Sequence, residues 1–379
     1  MDSHIHPVAR QIAAAKFFTF AGFEACQQFL APILNQTGKS QEAFLSILVL
    51  YAAFAVSGFV VPYLLRSMSY KTALIIAAPA YLLFIIAAAT ANTLLLFTAS
   101  ILVGIAAAFL WSVPVVYISS VTQENERARN LGLPQATAFA GGAVGIAITA
   151  LLLASETSSL TIFTLLAILA CVGVLLYVLL RQDPPRQREE IVNPFRALVH
   201  PMVAIAFFMV TSGFMILGLL FTEFAVHLSD AFGIKWVGWV LLACWVAVAA
   251  ASYAFGWISD IIGRIRALVL AVLIFVLGSA LMLFETRYAL FVAGLVFSAG
   301  FGGAMYPVWN VIFKEMLPKK FFLPAVGLFV VANSLGVVIA ATLSLFLDIQ
   351  TIVIMVACIS VCDLALLIPI TKRAKQVLV

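Results

Sequence analysis

Stretches of about 20 consecutive apolar residues, the length that crosses a bilayer as helix, recur twelve times along the chain. They lie near residues 17–35, 43–65, 72–90, 93–118, 131–153, 159–180, 202–225, 236–258, 267–285, 288–313, 322–346 and 350–370. Runs such as Ala73–Ala89 and Leu268–Leu283 are apolar on every side. They lack the alternation of a barrel strand, and helices are the open-ended structure that satisfies its own backbone in lipid. Eight of the twelve stretches contain no Asp, Glu, Lys or Arg. The pattern predicts an all-α membrane protein of twelve transmembrane helices. The first stretch is not expected to be a signal peptide, because no soluble domain follows it.

Composition agrees: of 379 residues, 64% are hydrophobic and 10% charged, against roughly 25% charged in a soluble domain. Charge then sets the expected orientation. With the N-terminus in the cytoplasm, the inner side holds 18 of the 21 Lys and Arg, from Arg10 and Lys16 through the central linker to Lys372, Arg373 and Lys375. The outer loops hold Lys39, Lys235 and Arg287. This asymmetry predicts cytoplasmic termini by the positive-inside rule, with the plasma membrane as the expected location. The net charge of +5 reflects topology; basic residues scattered over short inner segments form no patch for nucleic acid. Cys26, Cys171, Cys244, Cys358 and Cys362 all fall inside predicted helices and build no disulfide framework or zinc spacing.

One polar stretch is long enough to separate domains. Arg181–Arg196 carries three prolines and mixed charges, dividing an N-terminal six-helix bundle (1–180) from a cytoplasmic linker (181–197) and a C-terminal bundle (198–379). Asn193-Pro194 reads as a cap and first-turn proline opening the seventh span. The halves resemble each other at a fixed offset, the mark of an internal repeat. Adding 198 carries Gly58 to Gly256, Arg66 to Arg264, Gly104 to Gly302 and Trp111 to Trp309. Adding 195 carries Gly132 to Gly327 and Gly141 to Gly336. The duplication is parallel, because each half starts on the same side.

After the eighth span comes Gly256-Trp-Ile-Ser-Asp260-Ile-Ile-Gly263-Arg264-Ile-Arg266. Gly256 lets helices approach closely, Asp260 can accept hydrogen bonds from a neighbouring helix or arginine, Gly263 permits a tight turn, and Arg264 and Arg266 anchor the turn in the interface. The segment resembles the loop signature of the major facilitator superfamily, in which this cluster belongs to a cytoplasmic gating latch. The alternative is an ordinary positive-inside loop. In the first half Pro62 replaces Asp260 and Leu65 replaces Gly263, with Arg66 and Lys71 surviving, so a latch here is expected to be asymmetric. Four further segments, Gly104–Trp111, Glu126–Gly132, Gly233–Val240 and Pro324–Phe329, resemble the uncoordinated-93-like branch of that superfamily. The resemblance implies two six-helix bundles of the major facilitator fold. It also implies either a transporter of small solutes or a regulator or trafficking partner of other membrane proteins.

Ionisable residues within spans are costly and need a reason. Glu24 sits in the middle of the first helix, where Lys16, Phe20, Glu24, Gln27 and Gln28 share a broad face. The resemblance places the first helix of each half on a central cavity, where this carboxylate could take up a proton, another cation or a cationic substrate. The alternative is a structural glutamate bonded between helices. Glu223 and His227 stand four apart at the outer end of the seventh helix with Asp230 a turn further, either a route for protons or cations or a solvated pair among headgroups. Asp363, on the last helix, reads as a structural pairing. Trp111 and Trp309 are repeat-equivalent, and Tyr306 shares a face with Asn310. By the resemblance their helices line the cavity, making them candidate substrate contacts, with plain packing as the alternative.

Other signals lead nowhere. Thr37-Gly-Lys-Ser40 lacks the first glycine of a phosphate loop, since position 33 is Ile. His4 and His6 lie in the N-terminal tail, and Asn35-Gln-Thr37 is a formal glycosylation sequon. No catalytic, metal or cofactor pattern appears, so the chain is read as a non-enzyme. The expected activity is secondary transport of a small solute by alternating access, proton- or cation-coupled through Glu24; the alternative is a non-transporting partner of another membrane protein.

Overall fold

The computed structural model describes residues 5–35, 38–181, 190–220, 222–224, 227–228 and 234–377. Asp230, Thr37, Gly233 and most of the linker lie outside the described residues, as do the side chains of Lys235, Lys372, Arg373 and Lys375. The described chain is helical, without a strand. Its helices are α1 (Pro7–Asn35), α2 (Ser40–Leu64), α3 (Tyr70–Ala77), α4 (Pro79–Thr90), α5 (Thr93–Val121), α6 (Arg127–Ala154) and α7 (Ser159–Val178). A second set follows, comprising α8 (Pro194–Leu198), α9 (Pro201–Leu220), α10 (Ile234–Ile262), α11 (Arg264–Met282), α12 (Tyr288–Met316), α13 (Lys319–Leu343) and α14 (Ile349–Val377).

Among the described residues eleven helical segments are long and apolar enough to cross a bilayer, with α3 and α4 together forming one of them. Pro79 starts α4 and splits that span at Ala78, because proline removes a backbone donor and clashes with the preceding turn. The remaining crossing, α1, is the least apolar of the long helices, since it carries Lys16, Glu24, Gln27 and Gln28. Helix starts follow local chemistry. Ser69, Asn92 and Ser158 accept the backbone N–H groups of Thr72, Leu95 and Thr161 at 3.0, 3.0 and 3.2 Å, satisfying donors that a helix leaves unpaired at its first turn.

Two expectations are corrected. Asn193 does cap a helix, its Oδ1 accepting Phe195 N–H at 2.9 Å, but the helix is the short α8. His200 precedes Pro201, which disfavours helical backbone at His200, so the seventh span restarts at Pro201. Lys16 does not sit at the interface. α1 begins at Pro7, ten residues before the first apolar stretch, which carries Lys16 more than two turns into the helix, where it is fully buried.

The halves meet along two helix crossings related by the internal repeat. α6 crosses α10 where Gly132 abuts the Ser252 carbonyl and lies within 3.5 Å of the Gly256 Cα for any added Cβ. α2 crosses α13 where a Cβ on Gly58 would meet the Gly327 carbonyl at 2.9 Å. Both crossings pair a glycine from each half, because backbone contact at that distance leaves no room for a side chain. Gly58 and Gly256 are the repeat-equivalents on α2 and α10, and Gly132 and Gly327 those on α6 and α13. The offsets read from the sequence thus reappear as a shared contact geometry.

Candidate functional site

Midway along the helices, α1, α2, α4, α5 and α6 enclose a cavity together with α9, α10 and α13. It is narrow, with a volume of about 50 Å³. From α1 come Phe20, Phe23, Glu24 and Gln27. Aromatic side chains make up about half of the wall, among them Tyr51, Tyr81, Trp111, Phe139 and Trp245, and Asn333 adds an amide. Ring contacts knit the wall: Phe20 edge-on to Trp111 at 5.6 Å, and tilted pairs of Trp111 with Phe139 at 6.1 Å and Phe139 with Trp245 at 5.3 Å. Among the described residues Glu24 is the one charged member of this wall, and it is 8% exposed. Its stem lies against α6 at Gly142, where an added Cβ would come within 3.0 Å of Glu24 Cγ. The missing side chain is what lets Glu24 stand upright there. One turn on, Gln27 Nε2 donates to the Tyr51 hydroxyl at 3.2 Å.

Beneath the cavity, on the side nearer the chain termini, lies Lys16, which the sequence places on the Glu24 face without a role of its own. The Lys16 ammonium sits over the rings of Trp111, Tyr306 and Phe20 at 4.4, 5.5 and 5.8 Å from their centroids. It has no hydrogen-bond partner among the described residues. Cation–π attraction of about 2 kcal/mol or more in a dry site offsets part of the several kcal/mol that burying an ion costs. The box spans both halves, because Tyr306 belongs to α12 and its hydroxyl donates to the Trp111 carbonyl on α5 at 2.9 Å. A lysine eight residues before Glu24 on one helix was the available signal.

The other proposed aromatic and amide contacts separate. Tyr306 supports the floor without entering the wall. Trp309 and Asn310 are fully buried, Trp309 packing on Phe313 at 5.8 Å and Asn310 Nδ2 donating to the Tyr306 carbonyl at 2.8 Å. Glu223 and His227 are half-buried near the end of the bundle opposite the termini, where His227 packs on Phe291 at 5.1 Å. Neither belongs to the cavity wall. Asp363 accepts the Ser212 hydroxyl at 2.6 Å.

At the terminus-bearing end the motif after α10 reaches across to the other half. Asp260 accepts the backbone N–H groups of Ala128 and Arg129 at 3.3 and 2.9 Å, so its carboxylate caps the first turn of α6 from α10, where helix donors are unpaired and the dipole is positive. Arg264 Nη1 donates to Asp260 at 2.5 Å. Its Nε and Nη2 grip Glu315 at 3.0 and 3.1 Å, a bidentate fork of the strong kind. Glu315 also pairs with Arg127 at 2.9 Å, and Arg264 donates to the Glu124 carbonyl. Gly263 turns the chain with φ +93, a left-handed backbone that glycine tolerates. Gly256 lies against Arg129 one turn from Asp260. Arg266 is exposed. Glu315, Arg127 and Glu124 were not singled out from the sequence, although Arg127 lies inside the segment Glu126–Gly132 that was and Glu124 two residues before it.

The family of ion channel regulatory proteins described as UNC-93 matches residues 36–234, more than half of the chain, and the major facilitator superfamily matches residues 202–378. Solved structures share the fold. The human organic anion transporter MFSD10 (TETRAN) aligns at 12% identity and TM-score 0.76, covering 95% of this chain and 98% of that one. A bacterial homologue of the iron transporter ferroportin, in an outward-facing state, aligns at 14% and 0.77, with 97% and 100% covered. The transporter FucP in its outward conformation aligns at 14% and 0.73, with 96% and 98% covered. The chain is therefore a multi-pass membrane protein that belongs to the UNC-93 family within the major facilitator superfamily.

Proposed function

We propose that this protein is a secondary transporter in which a small solute binds between two rocking bundles, residues 1–180 and 198–379. One observation carries the reading: a mid-membrane cavity drawn from both halves lies above a terminus-bearing end where the Arg127–Glu315 ion pair and the hydrogen bonds of Asp260 and Arg264 to the α6 side tie the same halves together. Closure at that end is what an alternating-access carrier needs in one of its states. A scaffold serving only as a surface for another protein needs no interior carboxylate among rings. Wild-type protein in liposomes is expected to accumulate solute in response to an imposed proton or cation gradient. Failure to move any solute, with stoichiometric co-purification of a membrane protein, would favour the regulatory role that the family description names.

We place the terminus-bearing end in the cytoplasm on the strength of its basic residues. Single cysteines replacing Ser155 and Asn125, both exposed and at opposite ends, report this directly. In intact cells an impermeant maleimide should label the first and spare the second; the reverse pattern would invert the protein.

A further inference from the structure

We propose that the central cavity selects an amphipathic organic monocation, with a protonated or quaternary ammonium set against Glu24 and its apolar body among the rings. The inference rests on the transport reading for its physiological meaning but makes a claim about binding that stands separately.

Among the described residues Glu24 is the single charge in the cavity wall, and no side chain forms an ion pair or donates a hydrogen bond to it. The nearest cation along its own helix, Lys16, lies about two turns away, committed to the floor box of Trp111, Tyr306 and Phe20. A carboxylate left uncompensated in a low-dielectric cavity calls for a ligand that brings positive charge. The rest of the wall decides what kind. A hard metal ion such as Ca²⁺ or Mg²⁺ wants six or more oxygen ligands, whereas the other side-chain oxygens here come from Gln27, Tyr51, Tyr81 and Asn333, dispersed among aromatic rings. Rings present negative faces to an organic cation and apolar area to its body. Trp111, Phe139 and Trp245 form a continuous wall of tilted rings on the α5, α6 and α10 side, and Glu24 and Trp245 both adjoin Gly142. The floor shows the same chemistry at work: the protein houses its own alkylammonium, Lys16, on rings alone, without an acceptor among the described residues.

The test uses full-length purified protein and three probes of similar size: benzyltrimethylammonium, its uncharged carbon isostere neopentylbenzene, and benzenesulfonate. Thermal stabilisation and calorimetric titration both read binding to the folded state. The cation is expected to bind at least tenfold more tightly than either comparator. Glu24→Gln should weaken the cation at least tenfold, Glu24→Asp less, and Trp245→Leu severalfold, while none of these changes improves benzenesulfonate. Equal binding of the isostere, preference for the anion, or full cation affinity in Glu24→Gln would each overturn the assignment. Should a variant fail to fold, the comparison of three probes on the parent protein still decides. Failure of the two readings is distinguishable: cation binding without transport in liposomes sinks the transporter and keeps the site, whereas transport of a solute with no cation binding keeps the transporter and sinks the site.

Discussion

Glu24→Gln is expected to abolish concentrative uptake while leaving exchange of solute down its gradient, once solute is raised enough to offset weaker binding. The glutamine fills the same space beside Gly142 and can still meet a hydrogen-bond donor, so the bundle has no steric reason to fail. What it cannot do is alternate between a charged and an uncharged form. A carrier that couples solute to a proton or cation through one carboxylate must discharge that group to complete the cycle, and a side chain fixed in one state breaks the coupling. Uptake against a gradient should fall by roughly tenfold or more, a loss of about 1.4 kcal/mol or beyond at the coupling step. Glu24→Asp keeps the charge with shorter reach and should retain part of the activity. A purely structural glutamate gives the opposite order, Gln mild and Asp harmful. Uptake by Glu24→Gln equal to that of the parent protein, measured in liposomes under an imposed gradient, removes Glu24 from the coupling.

How far the sequence reached depended on whether a residue's role was set by its own helix or by a neighbour. Every transmembrane helix was legible, because twenty apolar residues must be helical in lipid whatever they touch. Glu24 and Gln27 were legible as cavity residues, since a polar face on an otherwise apolar helix has to meet something other than lipid. Trp111 reached the wall, but its repeat-equivalent Trp309 did not. An internal repeat equates positions on two helices without making their neighbours alike: Trp111 meets Phe139 and Phe20, whereas Trp309 is enclosed with Phe313. Lys16 was hidden by a boundary. Hydropathy dates the start of a span from its first apolar run, and a buried lysine just before that run looks like an interfacial anchor. Glu315 was hidden differently, as an acidic residue at the end of α12 whose meaning comes only from Arg264 and Arg127 on other helices.

The asymmetry of the two gating loops should be as large in function as it is in structure. Asp260→Asn removes the charge that caps α6 from across the interface and that partners Arg264, while a neutral amide oxygen keeps at best one weaker bond. Hydrogen bonds to charged groups contribute about 1.5–3 kcal/mol each, so the closed form of the terminus-bearing end should lose stability relative to the open one on that scale. Couplings of about 1–3 kcal/mol correspond to population shifts of roughly 5–150-fold. Ser259 reports the shift, because it is wholly buried beside the cluster in this state and faces water only when the end opens. A cysteine at Ser259 should therefore react with a soluble maleimide many times faster in the Asp260→Asn background. Pro62→Ala, at the repeat-equivalent position, should change that rate little. The reason lies in the partner helix: the offset of 195 that matches Gly132 to Gly327 also matches Arg129 to Pro324. Where α6 offers Asp260 a backbone N–H, α13 has a proline with none to give. Pro62 instead packs its ring against Gly327, where a Cβ would meet Pro62 Cγ at 2.6 Å. That side of the bundle is closed by apolar contact and loses only a few methylenes on substitution. Equal acceleration at Ser259 by both changes would mean that the loops serve folding alone, and that the charge cluster does not set the balance between access states.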